Sequence, residues 1–139
     1  MKVIVDTCVW SLAFRRKKID ENEPYVIELR ELIKEARIML IGSIRQEILS
    51  GISELKQFEK LRKSLSAFPD LELKTEVYEE AAHYFNINRA KGIQGSNTDF
   101  LICAASKIHD MSILTFDKNF ELIHKNTPLV LHRPRIISH

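Results

Sequence analysis

Four acidic side chains occupy positions where an α/β protein binds ligands. Asp6 and Asp117 come at the ends of short apolar runs, while Glu47 and Asp99 lie in the first turns of segments with helical periodicity. The carboxyl ends of parallel strands and the N-termini of the helices that follow share one edge of a sheet, where ligands bind. The sequence therefore predicts that these four carboxylates, far apart along the chain, converge at one edge.

The chemistry of such a cluster follows from its charge. Converging carboxylates repel one another, and at least one keeps its proton unless a cation is present. Magnesium and manganese prefer oxygen ligands, and magnesium keeps several waters beside one or two carboxylates. An ion held in this way can bind a phosphodiester oxygen, lower the pKa of a bound water and offset charge on the leaving oxygen. The pattern indicates metal-dependent phosphodiester hydrolysis without a cysteine, histidine or serine nucleophile.

Three of the four acids also have a purely structural interpretation. Asp99 ends a Ser-Asn-Thr-Asp segment that fits a helix capping box, and Asp117 could cap the short helix after it. Glu47 could be a solvated helix residue paired with Arg45 or Lys56. Asp6 is the hardest to explain by stability, because it follows three β-forming residues at the end of a strand. The ordered set is more specific than any of its members.

A single α/β domain over residues 1–139 is predicted to position these acids. Short apolar runs alternate with longer segments of helical period, and there is no repeat or linker, which favours a mostly parallel sheet. The predicted strands are 2–6, 37–41, 71–73, 111–115 and 129–131. The predicted helices are 7–14, 24–36, 43–51, 53–68, 75–91 and 97–109, with a short one after 117.

Composition excludes several other classes of protein. Hydrophobic residues make up 45% of the 139 and charged residues 29%, which excludes disordered and collagen-like chains. No apolar run approaches the roughly 20 residues of a membrane span, and the N-terminus lacks a signal-peptide core. The two cysteines form no C-x-x-C pair, and the five histidines lack zinc-site spacing. We expect a soluble cytoplasmic protein with no membrane association.

Four segments carry a resemblance to a known family. They are Val-Ile-Val-Asp-Thr-Cys-Val-Trp at 3–10, Ser-Ile-Arg-Gln-Glu-Ile-Leu-Ser-Gly at 43–51, Thr-Asp-Phe-Leu-Ile-Cys-Ala-Ala at 98–105 and Ile-Leu-Thr-Phe-Asp-Lys-Asn-Phe at 113–120. In this order and spacing they resemble the motifs of the PIN-domain family, and within it the VapC-like ribonuclease toxins of bacterial and archaeal toxin–antitoxin pairs. The resemblance covers the whole chain.

The resemblance implies a PIN-like three-layer sandwich, with a central, mostly parallel five-stranded sheet flanked by helices. It also implies that one set of acids is both the catalytic group and the Mg²⁺ or Mn²⁺ site, namely Asp6, Glu47, Asp99 and Asp117. Thr7 and Thr115 match the family's small hydroxyl residues, and we assign them supporting roles.

Three positions depart from the family pattern. Cys8 stands where the family often has Ser, and Phe116 where a polar residue is common. Asn119 replaces an additional Asp found in many relatives, so we expect no fifth carboxylate at the metal.

The function implied by the resemblance is that of a metal-dependent endoribonuclease acting as the toxin of a type II toxin–antitoxin system. Its partners would be RNA, a small cognate antitoxin protein and a second copy of the chain in a homodimer. The candidate RNA phosphate contacts are Arg15, Arg16, Lys17, Lys18, Arg89 and Lys91. A solvated basic surface explains these residues equally well. Trp10 could stack on a base, although a core position is more typical.

Two other functions remain open from the sequence. The first is a non-catalytic PIN-like binding module whose acids hold only a metal or a partner's arginine. The second is phosphoryl transfer through an aspartyl phosphate. That chemistry usually requires a second acid close to the first, whereas Asp6 is followed by Thr-Cys-Val.

Overall fold

A computed structural model describes residues 1–14 and 18–135. These residues form three strands and seven helices. In chain order the elements are β1 (Val3–Val5), α1 (Thr7–Phe14), α2 (Pro24–Lys34), β2 (Ile38–Met39), α3 (Gly42–Leu49), α4 (Leu55–Leu65), α5 (Thr75–Ala90), α6 (Asn97–His109), β3 (Ser112–Leu114) and α7 (Asn119–His124).

The sheet is parallel, with the strand order β2-β1-β3. Val3 of β1 pairs with Ile38 on one side and with Ser112 on the other. All three residues of β1 are fully buried because helices cover both faces of the sheet, as the continuous apolar run predicts. The predicted α/β class, with a parallel sheet flanked by helices, is confirmed.

The prediction of five strands is wrong, and the first missing strand is 71–73. In this part of the chain the structure has only an isolated parallel bridge between Asp70 and Leu40. The strand next to this segment, β2, ends at Met39, and α3 already begins at Gly42. There is therefore almost no extended backbone beside 71–73 with which a longer ladder could form.

The second missing strand, 129–131, is also reduced to a single parallel bridge, between Leu131 and Ile113. Proline lacks the backbone N–H that a ladder requires. Pro128 and Pro134 flank this segment on both sides and limit how far it can pair.

The helices lie in two layers. Crossovers between parallel strands are right-handed. The chain runs outward from β1 through β2 to the bridge at Asp70, which places α1 to α4 on one face of the sheet. It then returns across the sheet to β3, which places α5 and α6 on the other face. The contacts agree with this, because α1 packs against α2 and α3, whereas α5 packs along α6. No helix within the described ranges is both long enough and apolar enough to span a bilayer.

Trp10 belongs to the core. It is fully buried, its indole N–H donates to the carbonyl of Val5 at 3.1 Å, and its ring packs against Phe14 and Phe68. It is therefore not available to stack on a base or to form an interface.

A partly exposed group of side chains around the buried Glu28 attaches the C-terminal segment to α2. The Oε2 atom of the fully buried Glu28 accepts a hydrogen bond from Arg135 at 2.8 Å and lies 2.5 Å from Nε2 of His132. Arg135 also donates to both carboxylate oxygens of Glu35, at 2.9 and 3.0 Å. These contacts hold the segment that bridges to β3.

Candidate active site

The four predicted acids line one cleft of about 930 Å³. Asp6 follows β1, Asp117 lies three residues beyond β3, Glu47 lies on α3, and Asp99 lies in the first turn of α6. The parallel sheet brings them together because its strands end at the same edge. The structure thus places at one cavity four carboxylates that are separated by up to 111 positions in the sequence.

Two threonines connect three of these acids through hydrogen bonds. The Thr7 hydroxyl donates to Oε1 of Glu47 at 2.6 Å, and the Thr7 backbone N–H donates to Oδ1 of Asp6 at 2.8 Å. The Thr115 hydroxyl donates to Oδ2 of Asp6 at 2.8 Å and accepts from the backbone N–H of Asp117 at 3.0 Å. Asp6 is thereby held on both of its oxygens.

Asp99 is held by the predicted capping box, which is confirmed. Its Oδ2 accepts from the backbone N–H of Ser96 at 2.9 Å, and its own N–H donates to the Ser96 hydroxyl at 3.1 Å. Asp117 has a comparable local bond, since its Oδ1 accepts from the N–H of Asn119 at 2.9 Å. In both residues a local backbone N–H occupies one carboxylate oxygen, and the residue still lines the cleft. The N-cap residue of α7 is Lys118, so the predicted cap at Asp117 is wrong.

Glu47 does not pair with Arg45. That guanidinium instead donates to Oδ1 of Asp70 and to the carbonyl of Leu65, each at 3.0 Å. The Glu47 carboxylate instead accepts a hydrogen bond from Thr7 and lines the cleft.

The described lining of the cleft has no positive charge to balance its four carboxylates. Burial raises the pKa of Asp6, which is 5% exposed, to about 6, although the hydrogen bonds from Thr115 and Thr7 oppose this shift. Burial also raises the pKa of Asp99, and the charges of Asp117 and Glu47 add to the effect. No Lys, Arg or His is found among the described residues that line the cleft. Within the described lining of the cleft, the carboxylates therefore repel one another with no cation between them.

The burial of Asp6 predicts a pH-dependent stability of the metal-free protein. The pKa of Asp6 is higher in the folded state than its ordinary value of 3.8, so the folded state binds a proton more tightly. As the pH falls from about 7 through 6 to 4, the fold should gain up to about 3 kcal/mol from Asp6. Asp6→Asn should lose this gain, as measured by urea unfolding at each pH in the presence of a chelator. Equal pH slopes for the wild type and the variant would contradict the prediction.

No preformed ion cage is present in the described ranges. Across residues 1–14 and 18–135, no three His, Cys, Asp or Glu side chains lie close enough together to ligate one ion directly. One oxygen each of Glu47, Asp99 and Asp117 receives no hydrogen bond from a described residue.

The three predicted RNA contacts that the structure describes do not line the cleft. Arg15, Arg16 and Lys17 lie outside the described residues. Lys18 and Lys91 are exposed, and neither lines the cleft. Arg89 is exposed and lines a second cavity that adjoins it, which is described below.

Several polar residues of the cleft were missed from the sequence. Ser43, Gln46 and Ser50 line it together with Glu47. The signal was available, since spacings of three and four residues place side chains on one face of a helix. Ser43 lies inside the first turn of α3, which begins at Gly42, and its Oγ is buried without a partner among the described residues.

The structure shows where the three departures from the family pattern lie. The Cys8 thiol lies 3.5 Å from both Asp6 Oδ2 and Thr115 Oγ1, and burial raises its pKa to about 11. Asn119 lines the cleft, and Phe116 is exposed beside the ring of Tyr25. At neutral pH Cys8 is therefore a neutral thiol beside the acids.

Comparison with known proteins gives a family and a fold. The profile of the PIN domain family matches residues 3–126. FitAcB from Neisseria gonorrhoeae superimposes with a TM-score of 0.74 at 20% identity, covering 97% of this chain and 99% of that one. VapBC2 from Rickettsia felis, bound to a DNA fragment from their promoter, superimposes with a TM-score of 0.74 at 18% identity, covering 95% of this chain and 98% of that one. DNA-bound VapBC from Salmonella typhimurium superimposes with a TM-score of 0.70 at 14% identity, covering 95% of this chain and 97% of that one. Likeness at these identities shows the fold alone. No curated protein matches the chain.

Proposed function

Since the chain belongs to the PIN domain family, we propose that it is a metal-dependent endoribonuclease and the toxin of a type II toxin–antitoxin pair. The observation that carries the proposal is the cleft itself. Four carboxylates line it, and none of the described residues that line it is cationic. An arrangement that raises the pKa values of its own acids is costly for a structural role but suits a site for a divalent cation.

The donor set fits a hard cation. Carboxylate and hydroxyl oxygens dominate the lining near the acids, and these are the ligands that Mg²⁺ and Mn²⁺ prefer. Magnesium commonly keeps several waters and binds through only one or two carboxylates, so it does not require three acids in direct contact. We assign Asp6, Glu47, Asp99 and Asp117 as the residues that hold it.

The chain's own contribution to hydrolysis is positioning. Thr7 and Thr115 fix both oxygens of Asp6, and Ser96 fixes one oxygen of Asp99, so the carboxylates face the cleft in defined orientations. A bound divalent ion would lower the pKa of a water and offset charge at the leaving oxygen. The negative charges of the four acids repel the phosphates of RNA. A phosphodiester should therefore approach the cleft only where a bound cation neutralises these charges.

Incubation with total cellular RNA tests the nuclease proposal. Discrete cuts are expected in Mg²⁺ or Mn²⁺, and a chelator should abolish them. RNA that stays intact under all metal conditions, with a folded protein, would leave the binding module as the better description of this chain.

The toxin proposal has a separate test in cells. The similar structures named above include toxin–antitoxin complexes of the VapBC type, and we propose that this chain likewise pairs with a small antitoxin and forms a homodimer in the cytoplasm. Expression of the chain alone should arrest growth, as followed by optical density, and co-expression of an adjacent small gene should restore it. A chain that is harmless at high expression contradicts the toxin assignment and leaves the nuclease assignment standing.

A further inference from the structure

A second cavity of about 390 Å³ opens beside the acidic cleft. The two share Gln94 and Gly95 in their linings, so they form one continuous surface. The far wall of the second cavity is formed by Phe85 and Arg89 of α5 and by Phe100 of α6.

The aromatic wall is rigid at its base. Phe100 is 2% exposed, and its ring meets that of Phe85 edge to face at 5.5 Å. A Cβ atom added to Gly95 would lie 3.0 Å from the Phe100 ring and 3.2 Å from Ile123. The loop backbone therefore packs directly on Phe100, and the absence of a side chain at Gly95 allows the loop to lie this close.

Arg89 supplies a flat cation on this support. Its guanidinium carbon lies 5.7 Å from the centroid of the Phe85 ring. No described carboxylate forms an ion pair with Arg89. Among the described side chains that line the cleft and this second cavity, Arg89 is the one cation.

We propose that the cavity formed by Phe85, Arg89 and Gln94 binds one unpaired nucleobase of the RNA, next to the phosphate presented to the acids. This inference rests on the proposed ribonuclease function. Unpaired bases stack on aromatic rings and on guanidinium planes, whereas paired bases stay within their own helix. The Gln94 amide, which lines both cavities, can donate to and accept from a base edge. The site therefore selects single-stranded RNA.

Binding measured without hydrolysis tests this subsite. The probes are a fluorescent twelve-residue oligoadenylate RNA and a twelve-residue abasic RNA chain with the same phosphates, in chelator at low salt. The wild type should bind the oligoadenylate about tenfold more tightly than the abasic chain. Arg89→Lys keeps the charge but loses the plane, and Phe85→Leu loses the ring. Each should reduce this ratio to less than about twofold, and Phe85→Tyr should restore it.

Lys91→Ala is the matched control. Lys91 is exposed two residues from Arg89 and lines neither cavity, so its loss should weaken both probes by the same factor and leave their ratio unchanged. A wild-type ratio near one, or an unchanged ratio in Arg89→Lys, overturns the subsite.

RNA cleavage in Mn²⁺ is measured on the same preparations. Base-dependent binding without cleavage would refute the nuclease proposal but keep the subsite, and cleavage without base dependence would do the reverse.

Discussion

Replacing Asp99 by Asn is expected to lower the rate of Mn²⁺-dependent RNA cleavage by at least about a hundredfold while the protein remains folded. Asn has the same shape, and its carbonyl oxygen can accept the Ser96 N–H as the carboxylate does now. The Asp99 backbone N–H still reaches the Ser96 hydroxyl. The helix cap is therefore kept, and only the negative charge facing the cleft is lost. Cleavage of total RNA and thermal unfolding are measured on the same sample.

Asp110→Asn is the matched control for this substitution. Asp110 lies at the other end of the same helix, is exposed, and adopts a left-handed conformation with φ of 54°. Asn accepts that conformation readily, so the control makes the same chemical change outside the cleft. Its cleavage rate should equal that of the wild type. If Asp99→Asn also cleaves at the wild-type rate with the same metal dependence, Asp99 is only a helix cap.

The dual role of Asp99 shows where sequence reasoning reaches its limit. From the sequence, a cap and a cleft carboxylate are competing interpretations of the same residue. In the structure they coexist, because a carboxylate has two oxygens and the capping box uses only one of them. Asp117 is not the cap of α7, since the N-cap residue is Lys118, but it likewise uses only Oδ1 to accept from the backbone N–H of Asn119. Local pattern predicts the cap at Asp99 correctly, but only the sheet topology places the second oxygen at the cleft.

The central strands could be predicted, but the edges of the sheet could not. Apolar runs such as 3–5 must be buried on both faces, so their sequence specifies them strongly. The pairing of 71–73 and 129–131 depends instead on how much extended backbone their neighbours offer. That quantity is set by where α3 begins and by the flanking prolines, and not by the apolar residues themselves.

Glu28 illustrates a third limit. The helical pattern of α2 predicts an apolar face that includes Val26, Leu29 and Leu32, and all three are buried. Glu28 is also fully buried, because its partners His132 and Arg135 come from the end of the chain, 104 and 107 positions away. No local window contains that information.

The second large effect is expected from Thr115→Val, which removes a hydroxyl without changing the shape of the side chain. The Thr115 hydroxyl donates to Asp6 and accepts from the N–H of Asp117, so it orients two of the proposed ligands at once. We expect cleavage to fall by about ten- to a hundredfold and half-maximal activity to require more Mn²⁺. Thr115→Ser should recover most of the loss. An unchanged rate at every Mn²⁺ concentration would contradict a positioning role.

Thr127→Val separates this role from simple stability. Thr127 is as buried as Thr115, and its hydroxyl accepts from the Asn88 amide at 2.9 Å, but it does not line the cleft. Its loss should destabilise the fold by about 1–3 kcal/mol, because a buried donor is left unpaired, and should leave the Mn²⁺ dependence unchanged.

The pH profile of cleavage, compared between the two variants, distinguishes positioning of Asp6 from stabilisation of the fold. The Thr115 hydrogen bond lowers the pKa of Asp6, and burial raises it to about 6 in spite of that bond. Without the hydroxyl the pKa should rise further, so a larger fraction of Asp6 is protonated at neutral pH and fewer molecules hold the cation. The acidic limb of the rate profile should therefore shift to higher pH in Thr115→Val, measured at fixed subsaturating Mn²⁺, and stay in place in Thr127→Val. A shift of equal size in both variants would mean that the limb reports unfolding, and that the Thr115 hydroxyl stabilises the fold without positioning the proposed metal site.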